Sequence, residues 1–202
     1  MTNQQWLFDG ESRRQDLSQW YTPPDLAAKI AKWAFVRHKA RRILEPSCGK
    51  GALVNAITNT FLDARVVAYD IDIDNLIHTK INSNRVDVIC DDFLTTPKVG
   101  NFDLVIMNPP FENNLDIQFI HESLRVSDVV ISVLRGVIRH GSRRWEELWK
   151  WVNITGEVVL VERPKFGGDY TPMQDFVVLE MRGRKNARLR GESCKNHTVE
   201  WW

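Results

Sequence analysis

The apolar run Phe102-Asp103-Leu104-Val105-Ile106-Met107 stops abruptly at Asn108-Pro109-Pro110-Phe111, and this stretch limits the fold more than any other in the chain. An apolar run that ends in a polar amide and two prolines predicts a buried parallel strand whose carboxyl end opens into a stiff loop. Ligand sites of open α/β sheets lie at such carboxyl ends. Prolines fix φ and donate no hydrogen bond, so the loop's carbonyls stay free and hold set directions. The tetrapeptide therefore sets a side-chain amide, a rigid carbonyl and an aromatic ring side by side. The Asn108 side-chain oxygen and the Pro109 carbonyl can accept both hydrogens of an exocyclic amine, while Phe111 can stack on the ring that bears it. Two acceptors draw the nitrogen towards tetrahedral geometry and make its lone pair nucleophilic. A proline-stiffened turn with an exposed aromatic is an equal reading of these four residues taken alone.

With 202 residues the chain can bury one sizeable core, which predicts a single domain. A formal charge of +1 means that any nucleic-acid contact has to come from local basic patches. No apolar run approaches membrane-spanning length, and Met1-Thr2-Asn3-Gln4-Gln5 lacks a signal-peptide pattern, so the expectation is a soluble, cytoplasmic protein. Cys48, Cys90 and Cys194 are odd in number and without paired spacing, which disfavours disulfides and a structural zinc site; no metal is expected.

Residues 1–20 read as a polar N-terminal arm with scattered aromatics. Tyr21-Thr22-Pro23-Pro24-Asp25 predicts a helix start with Thr22 as N-cap, Pro23 at the first helical position and Asp25 at the third. Leu26, Ile30, Trp33 and Ala34 form that helix's apolar stripe, which ends near His38-Lys39. Arg42-Ile43-Leu44 reads as a strand, followed by the turn Glu45-Pro46-Ser47-Cys48-Gly49-Lys50-Gly51 and a helix opening at Ala52. Gly49 and Gly51 let the backbone pass close to a ligand. Lys50 is not followed by Ser or Thr, so this is no phosphate loop, and Glu45 at its start favours a cationic ligand.

Val66 to Tyr69 is the second expected strand, ending in Asp70-Ile71-Asp72. An acid there, about 20 residues past a glycine turn, is where dinucleotide-type folds grip a ribose diol. Helix capping before Asn75-Leu76-Ile77 is the competing role, which suits Asp72 or Asp74 better. Val86 to Cys90 reads as the third strand, with Asp91-Asp92-Phe93-Leu94 after it. Further strands are expected at Asp128–Leu134, Glu157–Val161 and Asp175–Met181, with a helix from Leu115 to Leu124. In the segment from Arg135 to Trp151 the helical spacing of Trp145, Leu148, Trp149 and Val152 predicts core aromatics, with Arg135, Arg139, Arg143 and Arg144 as a basic rim.

A glycine turn after strand one, acids after strands two and three, and Asn-Pro-Pro-Phe after strand four together resemble the S-adenosylmethionine-dependent DNA adenine-N6 methyltransferases of the gamma-type, TaqI methyltransferase-like motif order. The likeness runs from about Tyr21 to Phe111 as a motif set and more loosely to about Arg182. It implies a Rossmann-like class I α/β fold: a mostly parallel seven-stranded sheet whose last strand is antiparallel. The catalytic domain would be residues 1–182, with residues 183–202 a basic C-terminal tail, a solvated end or a DNA contact. S-adenosylmethionine would be the cofactor and adenine in duplex DNA, flipped out of the stack, the substrate. Tyr21 and Thr22 would contact the methionine end of the cofactor. Glu45, Pro46, Ser47 and the Gly49–Gly51 backbone would line its sulfonium side. Asp70 would hold the ribose hydroxyls and Ile71 would pack on the adenine, with Asp92 accepting from its amine and Phe93 flanking the ring. Asn108, Pro109, Pro110 and Phe111 would hold the target base, and Phe166 or Tyr170 would cover its other face. Arg135, Arg139, Arg143 and Arg144 would meet phosphates. Cys48 is not needed as a nucleophile.

Relatives of this type usually append a target-recognition domain, whereas only a short tail follows Arg182, so low or short-site specificity is expected. RNA adenine-N6 and protein glutamine methyltransferases also hold a planar amine with an Asn-Pro-Pro loop and remain alternatives, as does cytosine-N4 transfer. A non-catalytic subunit of a larger methylation complex is the rival from another class. Thr22-Pro23-Pro24 and the closing Phe111 favour DNA.

Overall fold

The computed structural model describes residues 20–78, 83–98, 100–166, 173–183 and 198–202. Strands β1 (Arg42–Glu45), β2 (Arg65–Asp70), β3 (Val86–Cys90), β4 (Leu104–Met107), β5 (Val130–Arg135), β6 (Val152–Val159), β7 (Phe176–Gly183) and β8 (Thr198–Trp201) form one sheet. Its order is β3-β2-β1-β4-β5-β7-β6-β8. The pairs among β1 to β5 are parallel, whereas β7 runs antiparallel to both β5 and β6. The expected seven-stranded arrangement is therefore present. Its addition is β8, which pairs parallel to β6 at the edge and comes from residues read as a basic tail.

The period-two alternation of a strand splits the core into two layers. Ile43, Ile106 and Ile131 face helices α1 (Pro24–Arg37) and α2 (Ala52–Thr60), meeting Leu26, Ile30, Val54 and Ile57. Leu44, Val105 and Met107 face α4 (Leu115–Val126), meeting Ile117, Phe119 and Ile120. Between α2 and α4 in the chain, α3 (Ile73–His78) follows β2. The central strand β4 is buried along its whole length, as a strand covered on both faces must be. Because β1 is flanked by β2 on one side and β4 on the other, the chain reverses its winding there. The carboxyl ends of β1 and β4 open into a crevice at this switch point.

Four local expectations are corrected. Helix α1 begins at Pro24, its N-cap residue is Pro23, and no side chain caps it; the Thr22 hydroxyl is engaged elsewhere. β6 starts at Val152, so the helical pattern there reduces to the short α5 (Ser142–Arg144) and a π turn over Trp145–Trp149. In that turn Trp149 is buried and its indole donates to the Ile138 carbonyl, whereas Trp145 and Trp151 are each 52% exposed and not core residues. β5 runs from Val130 to Arg135 rather than from Asp128, and β7 extends two residues past Met181, to Gly183.

Candidate active site

The β1 loop is shaped by its own carboxylate. Glu45 ends β1 fully buried, and its Oε1 accepts from the Ser47 amide at 3.2 Å and the Ser47 hydroxyl at 3.3 Å, while Oε2 has no partner among the described residues. Burial pushes the Glu45 carboxyl well above the usual carboxylate range; the Ser47 bonds oppose that and the Asp70 charge adds to it. The same Ser47 hydroxyl lies 3.1 Å from the Asn108 carbonyl and so joins the loops after β1 and β4. Burial, with Glu45 and Asp70 nearby, raises the Cys48 thiol far above its ordinary value, leaving it inert.

Asp70 ends β2 and is 9% exposed. Its Oδ2 accepts from the Gly49 amide at 2.7 Å; its Oδ1 accepts from the Asp72 amide at 2.9 Å and from Asn75 Nδ2 at 3.1 Å. Burial raises its carboxyl and these three bonds pull it back. A carboxylate has about four acceptor sites, so capacity remains for a hydroxyl donor. The chain of contacts continues through the Tyr21 hydroxyl, which donates to Asn75 Oδ1 at 2.8 Å. The Tyr21 ring packs against Gly49 and carries the Lys50 ammonium 4.5 Å above its centroid.

These residues wall a cavity of about 260 Å³, lined by Tyr21, Pro46, Ser47, Gly49, Asp70, Ile71, Asp92, Phe93, Asn108 and Pro110 among others. A second cavity of about 580 Å³ shares Trp20, Tyr21, Ser47, Gly49 and Asn108 with the first, and this adjoining pair makes up the trough. Ile71 is 60% exposed on its rim. Phe93 packs on Tyr69 and Phe119, and Asp92 folds its own turn by accepting from the Leu94 amide at 2.9 Å. Glu45 and Gly51 do not reach the trough: Glu45 lies under the loop, and Gly51, at φ +79°, makes the turn into α2.

In the Asn-Pro-Pro-Phe loop, both hydrogens of Asn108 Nδ2 are taken, by the Trp20 carbonyl at 2.6 Å and the Thr22 hydroxyl at 3.0 Å. Its Oδ1 is buried with no partner among the described residues. Leaving such an acceptor unmade costs about 1–3 kcal/mol, a strain that a ligand donor would relieve. Phe111 departs from expectation: it is 2% exposed and turned into the core, 5.6 Å from Phe176. Its carbonyl accepts from Arg135, whose guanidinium also lies 5.5 Å from its ring centroid. Phe166 is buried too, 4.8 Å from Phe176 and 6.0 Å from Trp20. Apolar rings exclude water best by packing on each other, and here they close over the loop. Tyr170 lies outside the described residues.

The basic residues are not a uniform rim. Arg135 is turned inward onto Phe111, and Arg139 pairs with Glu157. Arg143 is exposed and pairs with Glu147 at 2.7 Å, while Arg144 reaches the His140 carbonyl at 3.4 Å. Sequence reasoning missed Trp20, whose backbone carbonyl does the work, and Asn75, a buried polar residue on a short helix; no motif marks either. Among the described residues no cluster is placed to hold a metal ion, and no helix is long and apolar enough to cross a membrane.

A sheet of this order with β7 alone reversed among its first seven strands, bearing a ligand trough at the β1/β4 switch point, is the class I methyltransferase fold. The family model of the methyltransferase small domain matches residues 22–129, and the chain belongs to that family. It is similar to modification methylase CviBIII of Paramecium bursaria Chlorella virus NC1A, 32% identical over 98 residues that cover 46% of this chain and 25% of that one. It is also similar to the release factor glutamine methyltransferase of Streptomyces coelicolor, 27% identical over 181 residues that cover 83% of this chain and 62% of that one. A solved structure from Pyrococcus horikoshii, of a protein assigned as an RNA methyltransferase, superposes with a TM-score of 0.67 at 20% identity, covering 83% of this chain and 88% of that one. The chain spans only 19–26% of the length of the type II methyltransferases and the modification methylase it matches. S-adenosylmethionine is the cofactor of this fold and family, and the trough fits it: the acid Asp70 keeps an acceptor site, and Gly49 lines the trough with the Tyr21 ring packed where a Cβ would stand.

Proposed function

We propose that this chain transfers a methyl group from S-adenosylmethionine to the exocyclic N6 amine of adenine in DNA. The observation that carries the reading is the Asn108 side-chain oxygen, buried and without a partner among the described residues, with Pro109 next to it in the chain. When bound, the cofactor supplies a methyl group on a sulfonium already activated for transfer, so the chain's task is alignment. Asp70 would hold the ribose hydroxyls, Ile71 and Phe93 the adenine faces, Asp92 the adenine amine, and Tyr21 with the Gly49 backbone the methionine end. Asn108 Oδ1 and the Pro109 carbonyl accept the two hydrogens of the target amine and free its lone pair for attack. The surplus proton of the methylated nitrogen passes to water, with no side-chain base required.

A paired base cannot reach this loop, so a duplex substrate has its adenine flipped out, at a cost of a few kcal/mol. Trp20, Phe111, Phe166 and Phe176 pack on one another next to the loop, and a base stacking on Phe111 would have to part them. Ring-on-base stacking, about 1–3 kcal/mol per base, offsets the opening. The second reading is a protein glutamine amide, favoured by the glutamine methyltransferase relative that covers most of the chain.

The test is transfer from labelled S-adenosylmethionine to unmethylated duplex DNA, single-stranded DNA, RNA and a glutamine-bearing peptide in parallel, with digestion to identify the product. N6-methyladenine in DNA, reduced at least about 100-fold by Asn108→Ala, supports the proposal. Label confined to RNA or to glutamine overturns the DNA assignment.

A further inference from the structure

We propose that Thr22 is a positioning residue for Asn108, fixing the plane of its amide so that the side-chain oxygen is the group an incoming amine meets. The inference rests on the reading of Asn108 as acceptor of the target amine. It departs from the expectation that Thr22 serves the methionine end of the cofactor.

An asparagine amide is nearly symmetric in shape, and turning it over exchanges an acceptor for two donors. A turned Asn108 would offer N–H groups to the amine it has to bind. Its oxygen would also face the Trp20 carbonyl at the 2.6 Å now spanned by a hydrogen bond, acceptor against acceptor. The Trp20 carbonyl thus sets which way the amide faces. A single bond, however, leaves rotation about its own axis. The second acceptor, Thr22 Oγ1 at 3.0 Å, defines the amide plane and with it the direction of Oδ1.

The surroundings make Thr22 suited to this task. It is 8% exposed, and it precedes Pro23-Pro24, which confine the residue before them to extended backbone. Pro23 leads directly into α1, which is anchored on the sheet by Leu26, Ile30 and Trp33. The hydroxyl is thereby held from a rigid element. Tyr21, the preceding residue, reaches the other way, to Asn75 and the Gly49 turn. Residues 20–22 therefore form a strap: Tyr21 serves the cofactor side, and Trp20 and Thr22 orient the acceptor.

Thr22→Val keeps the shape and removes the hydroxyl, and Thr22→Ser keeps the hydroxyl. The Asn108 side-chain amide is followed by ¹⁵N NMR on the full chain, its signals assigned by their loss in Asn108→Asp. Thr22→Val should shift these signals and speed exchange of one amide hydrogen about fivefold or more, with Thr22→Ser close to wild type. In methyl transfer, Thr22→Val should lower kcat about tenfold with the S-adenosylmethionine Kd changed less than about twofold, and Thr22→Ser should regain most of the loss. Unchanged amide signals together with an unchanged kcat overturn the proposal. So does a raised cofactor Kd with kcat intact, which would return Thr22 to the cofactor. An altered amide in Thr22→Val, in a protein whose wild type methylates no adenine, upholds the positioning role and removes the functional reading instead.

Discussion

At Gly49 the backbone sits at φ +50°, and a Cβ there would stand 3.1 Å from Cδ1 of Tyr21. Left-handed backbone and the lost space act together, so Gly49→Ala should cost about 1–2 kcal/mol of stability. It should also weaken S-adenosylmethionine binding about tenfold, since the displaced Tyr21 ring lines the trough; calorimetry on the purified chain reads both. Two arginines separate in the same way. Arg143 is exposed at the surface, whereas Arg135 is spent on the Phe111 carbonyl and ring. If DNA is the substrate, Arg143→Ala should reduce the slope of log affinity against log salt by up to about one unit. Arg135→Ala should leave that slope unchanged and lower kcat through a loosened Phe111. Salt titrations of DNA binding for the two variants distinguish a phosphate contact from an internal brace.

Helix α1 presents the strap to the site, and an ionic cluster holds α1 down. Glu180 on β7, 2% exposed, accepts from Arg37 at 2.6 Å and the Thr155 hydroxyl at 2.7 Å, with His38 Nε2 at 3.0 Å. Burial alone would raise its carboxyl, but the hydrogen bonds from His38, Arg37 and Thr155 hold it at about 2. Gly156 makes room for the cluster, because a Cβ there would meet the Arg37 guanidinium at 2.8 Å. A carboxyl depressed in the folded state stabilises above its unfolded value and ceases to do so as pH falls through the folded one. The contribution, about 3 kcal/mol at neutral pH, is therefore lost between the ordinary glutamate value and about 2. Glu180→Gln should unfold more readily at pH 7 and show a flatter acid limb in denaturant titrations from pH 7 to 3. Asp70 and Asp116 work in the opposite sense: burial raises their carboxyls, so they favour the folded state most in acid and less as pH climbs.

Across the whole molecule, β8 closes the sheet edge beside β6. Its last residue is followed by Trp202, whose amide and carbonyl bond to Val159 and Val161 and whose ring meets Trp33 edge-on at 6.2 Å. Trp33 in turn donates to Glu200 at 2.7 Å. Deleting residues 198–202 should cost about 2–4 kcal/mol from the uncovered tryptophan and lost bonds, and should promote association through the bared β6 edge. Thermal melts and light scattering on the shortened chain test this. The parts of this architecture written in the amino-acid order are those whose causes are local. The apolar run of β4 stopped by two prolines, the Gly49 turn after β1, the acid closing β2 and the stripe of α1 each follow from the backbone chemistry of a few adjacent residues. Together they set the sheet, the switch point and the trough. Folding alone settled the rest: that Phe111 turns inward, that Arg135 braces it, that Asn75 and the Trp20 carbonyl complete the site, and that residues 198–201 become a strand. Each of these depends on which distant surfaces meet and which polar groups that meeting leaves to be satisfied, and neither is expressed in the spacing of neighbours along the chain.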